Sequence, residues 1–137
     1  MEMRDFRKSG VALVAFSLLL LTCGLPTFAV MGTLDGKTFS GEVGKKGETS
    51  GMTDDLVFKD GKFRSTACDA YGFGDADYSV TPASDATTFQ AETHNPKNES
   101  MKWSGTIKGN ALEGTAIMTT PGQAPVEYWV KATLKQS

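Results

Sequence analysis

The 137-residue sequence contains a single histidine and two cysteines, and each scarcity removes a class of chemistry. A zinc site draws several Cys, His or carboxylate ligands together at defined spacings, whereas His94 stands alone at a predicted strand end with no second histidine or cysteine pair to join it. A Cys68 and His94 dyad has no orienting motif or oxyanion signature around it, so no catalytic residue, metal or cofactor is assigned and the chain reads as a non-enzyme. Asp75 and Asp77 follow a glycine-rich loop, but they lack the spacing of a calcium-binding loop and read as solvated carboxylates. Runs of like charge are absent too. The chain is mildly acidic, with a net charge of -2, and its charges are interspersed, which excludes nucleic acid as the expected partner. Amphipathic helical stretches of useful length are missing as well.

The long apolar run is confined to the N-terminus. Arg4, Arg7 and Lys8 precede the apolar stretch from Val11 to Leu21, and Thr27 and Ala29 supply small residues after Pro26. This is the pattern of a secretory signal peptide over residues 1–29, cleaved between Ala29 and Val30. Gly24 and Pro26 interrupt the run before the roughly 20 apolar residues of a spanning helix, so no stable membrane span is expected after cleavage. Cys23, behind Leu20, Leu21 and Thr22, resembles a bacterial lipobox, from which Thr22 departs because Gly, Ala or Ser usually precedes the cysteine. The alternatives are a soluble exported protein, periplasmic or secreted, and one lipid-anchored through Cys23. Cleavage leaves Cys68 unpaired. Free cysteine is among the most buried residue types, and Asp69 opposes its ionisation, so an inert thiol is expected. Residues 30–137 then carry 11 basic against 14 acidic residues, a length suited to one domain with one core.

What the mature chain does have is period-two alternation, the signature of half-buried strands. Eight strands are predicted: 38–43, 56–59, 62–67, 76–81, 87–93, 101–108, 112–118 and 126–134. Met101, Trp103, Gly105 and Ile107 share one face of the sixth, and Val126, Tyr128, Val130, Ala132 and Leu134 one face of the last. Asp60-Gly61 and Gly109-Asn110 supply tight hairpin turns, and residues 45–53 read as a loop. Short strands in succession predict an all-β, single antiparallel up-and-down β-barrel of about eight strands. A two-sheet sandwich is the rival architecture.

The strand number and the rhythm of Gly, Thr and aromatic residues over most of 35–135 resemble the lipocalin-like, calycin-type barrels of small bacterial secreted proteins. That resemblance implies a binding protein over residues 30–137, though no family ligand residue maps onto a numbered position here. A barrel of this size either fills with its own side chains or holds one small ligand. Gly41, Ala67, Ala91, Gly105, Gly114, Ala116 and Ala132 fall on inward faces and could leave room for a small hydrophobic or aromatic ligand contacting Ser65, Tyr78, Phe89, Trp103 and Tyr128; equally, small and large residues could alternate to fill a tapered barrel. The loop 68–76 offers Tyr71 and Phe73, either as a plug over the core or as an anchor for a protein partner. Tyr71, Gly72, Phe73 and Gly74 also match a Tyr-x-x-Gly pattern of bacterial periplasmic inhibitors of c-type lysozyme, but the companion Ser-Gly-x-x-Tyr is absent. The alternative function is therefore a protein-interaction module, either a periplasmic inhibitor or an envelope structural factor. Trp129 is expected to face outward.

Overall fold

A computed structural model describes residues 33–135; the expected signal peptide, its cleavage point and Cys23 lie outside them. The strands are β1 (Thr38–Lys45), β2 (Met52–Lys59), β3 (Lys62–Ser65), β4 (Ala76–Pro82), β5 (Thr87–His94), β6 (Ser100–Lys108), β7 (Ala111–Thr119) and β8 (Val126–Leu134). Each pairs antiparallel with the next, and β1 also pairs with β8, Phe39 opposite Leu134 and Lys45 opposite Tyr128, so the sheet closes into an eight-stranded up-and-down barrel. Closure leaves no open edge. Among the described residues no helix is long and apolar enough to cross a membrane.

The alternation read from the sequence sets which side chains enter the barrel. In β5 and β6 every second residue is buried: Phe89, Ala91 and Thr93 in one, Met101, Trp103, Gly105 and Ile107 in the other. At the Asp60-Gly61 turn both residues have positive φ, 53° and 75°, as the tightest hairpin turns require.

Around β2 and β3 the chain departs from the strands that the sequence predicts. β2 begins at Met52 rather than Leu56, which brings Asp54 onto the inward face. β3 ends at Ser65, and Thr66–Tyr71 forms a 3-10 helix instead of strand and loop. As a result β3 and β4 share only two residue pairs, Lys62 with Asp77 and Phe63 with Ala76. Beyond Ser65 the 3-10 helix packs against β2 and β3, and it and the loop after it line the inside of the barrel there.

The two ends of the barrel differ. At the end holding the Asp60-Gly61 turn, Phe58 meets Phe39, Tyr78 and Phe89 edge-on with centroids 6.0, 4.9 and 5.1 Å away, a geometry that suits ring quadrupoles. Phe63 continues the cluster to Trp103. Buried Leu34 packs into this core just before β1. Its N–H donates to the Tyr78 hydroxyl at 2.9 Å, and that hydroxyl donates to Asp35 at 2.7 Å. The Asp35 carboxylate also accepts the Gly61 N–H, tying the segment before β1 to the first hairpin. This end is closed.

Candidate functional site

At the opposite end, where the 3-10 helix and the β7–β8 loop lie, the barrel is hollow. A cavity of about 280 Å³ is walled by Val43 of β1, Met52 and Asp54 of β2, Met101 and Trp103 of β6, Met118 of β7 and Tyr128 of β8, with Ala67, Cys68, Tyr71 and Phe73 completing one side. Met52 and Tyr71 are exposed, 55% and 61%, and form its rim. All three methionines within the described residues line it. Methionine is flexible and polarisable, suited to a wall that adapts to its occupant.

The side formed by the 3-10 helix is held from several directions. Asn95, buried in the β5–β6 loop, donates from its amide to the Tyr71 carbonyl at 3.1 Å and to Glu99 at 2.8 Å, while its own carbonyl accepts the Lys97 and Glu99 N–H groups. Gly72, with φ of 83°, ends the helix in the left-handed conformation that glycine accommodates. Phe73 then turns inward and is buried. On the outside, Arg64 holds Asp69 at 2.6 Å.

Asp54 is the polar feature of the cup. Its side chain is buried among mostly apolar neighbours. The Ser65 hydroxyl and the Ala67 N–H donate to it, the latter at 3.0 Å, and the Thr66 hydroxyl lies at 3.4 Å. No cation pairs with it among the described residues. Burial raises its pKa despite those hydrogen bonds, because neutral donors compensate only part of the lost hydration of a charge. Burial likewise pushes the Cys68 thiol up, and the nearby Asp54 and Asp69 add to the effect; it also pushes the Tyr128 phenol up. The indole N–H of Trp103 finds no acceptor.

Four of the seven singled-out residues meet at this cup: Trp103, Tyr128, Tyr71 and Phe73. Three do not line it. Tyr78 is committed to Leu34 and Asp35 at the closed end, Phe89 packs on Phe58 and Phe63, and Ser65 gives its hydroxyl to Asp54 and so supports the cup from behind. Tyr71 and Phe73 separate, one exposed and one buried. Asp54, Met52, Met118 and Val43 were not singled out; Asp54 hid because a carboxylate on the inner face breaks the apolar alternation.

The glycines do not create the hollow. A Cβ on Gly41 would collide with the carbonyl of Lys131, and one on Gly105 would sit 2.6 Å from the Phe89 ring; these are places where chain or ring needs the space. Trp129 faces outward, as expected, and lies over Gly44 with its N–H donated to the Glu48 carbonyl at 2.9 Å.

His94 is exposed, 3.9 Å from Glu92, and no hydrogen bond joins it to Cys68. Among the described residues no three His, Cys, Asp or Glu side chains gather as a metal site. Comparisons with protein-family models, curated proteins and solved structures return no match to this chain.

Proposed function

We propose that the protein is an exported, non-catalytic binding protein of lipocalin-like type that holds a small hydrophobic or aromatic molecule in the cup at the open end of its barrel. The observation that supports this reading is the cavity of about 280 Å³, mostly apolar, in a barrel whose other half is packed with rings. Drug-sized ligands occupy pockets of roughly 300 to 1,000 Å³, and an apolar hole of about 150 Å³ already accepts benzene. The cup therefore suits a molecule of one or two rings, or an aliphatic chain of similar bulk.

The second reading, a protein-interaction module, is favoured by the exposure of Met52 and Tyr71 at the rim. With Phe73 buried, it rests on these two side chains, which would lead a partner's apolar group into the cup. Native mass spectrometry of the protein purified from its own host separates the two. The binding-protein reading expects a small-molecule adduct that collisional activation removes and that Met118→Trp, which fills the cup, abolishes. A clean apo mass under gentle conditions counts against it, and a co-purifying protein that depends on Tyr71 supports the second reading.

A further inference from the structure

We propose that the molecule taken by the cup is a small amine, its ammonium group seated on Asp54 and its apolar body among Val43, Met101, Met118 and Tyr128. This rests on the cup being a ligand site and adds the charge of the occupant. The two neighbouring carboxylates make the argument. Asp55, on the outer face of β2, meets the Lys135 ammonium at 3.5 Å and the Ser40 hydroxyl. Asp54, on the inner face, has three neutral donors and no cation among the described residues. A carboxylate offers about four acceptor positions, so an ammonium N–H can still be received, and it would supply the charge that the protein does not.

The rest of the wall points the same way. Tyr71, Trp103 and Tyr128 line the cup with Asp54, and ring quadrupoles attract a cation within about 6 Å. In a site of low dielectric the same carboxylate repels a carboxylate or phosphate, since Coulomb terms grow as water is excluded. An anionic lipid or fatty acid is therefore disfavoured, although its chain would suit the methionines.

The test is isothermal titration of the intact protein with four probes of nearly equal size: phenethylamine, phenethyl alcohol, hydrocinnamate and ethylbenzene. Expected is binding of the amine at least about tenfold tighter than of the alcohol, as for a desolvated charge pair, with the acid weakest. Asp54→Asn should abolish the amine's advantage over the alcohol. Equal affinities for amine, alcohol and acid overturn the inference while leaving a binding cup. So does binding of ethylbenzene alone. If none of the four binds, both the inference and the proposed function fail. The probe series on the unaltered protein decides the matter even where Asp54→Asn folds poorly.

Discussion

The Tyr78 hydroxyl joins the Leu34 N–H to the Asp35 carboxylate at the closed end of the barrel. Tyr78→Phe keeps the ring among Phe58 and its neighbours but leaves a buried N–H without its acceptor, a loss of about 1–3 kcal/mol. Chemical denaturation should show that loss, with ligand uptake at the far end unchanged. The same hydroxyl gives a pH dependence. Burial, with the Asp35 carboxylate adding to it, raises the Tyr78 pKa from about 10 to about 12, so the folded state holds its proton more tightly than the unfolded chain does. The contribution to stability is fully present below about pH 10 and is lost as pH rises toward 12. Melting temperature followed through that range should fall more steeply in the native protein than in Tyr78→Phe; parallel curves would contradict the assignment.

At the scale of elements, the short β3–β4 ladder decides where the hollow lies. Two pairs hold these strands together, and the side chains that would otherwise fill the wall above them are replaced by the 3-10 helix and Phe73. Asn95 fixes that segment to the β5–β6 loop. Asn95→Ala removes its bonds to Tyr71, Lys97 and Glu99, and the expected outcome is faster amide hydrogen exchange across residues 66–74 with weaker ligand retention, while exchange in β6 and β7 stays slow. Uniformly faster exchange would mean that the segment is not a separate unit. These elements also show what a sequence can disclose. β8 ran from Val126 to Leu134 as read, because its alternation faces one core and its ladders run along both sides. The start of β2 is not legible because Thr53, Asp54 and Asp55 look like loop residues until the Ser65 hydroxyl from β3 and the Ala67 amide from the 3-10 helix satisfy the buried carboxylate. The 3-10 helix is not legible because six residues, none of them fully buried, carry no periodic signal, and the tertiary bond from Asn95 holds them.

Across the whole molecule the barrel is filled at one end and open at the other. The inward register of most residues was legible, but the same rule of alternation places Phe58 and Met118 alike on inner faces. Whether an inner face meets a neighbour or a void depends on how rings from different strands interlock, and that is set by closure of the sheet. Phe39, Phe58, Phe63 and Phe89 converge near the first hairpin, whereas at the open end Trp103, Tyr128, Tyr71 and Phe73 stand around the cavity with three methionines and Val43 and leave its centre unfilled. The central claim is that this end receives a ligand, and amide chemical shifts recorded while phenethylamine is titrated into the isotope-labelled protein test it most directly. The account predicts saturable shifts clustered at Val43, Met52, Asp54, Cys68, Tyr71, Met101, Met118 and Tyr128, with the amides around Leu34, Phe58 and Tyr78 unmoved. Shifts centred on the closed end or the outer face, or none at saturating probe, would contradict it.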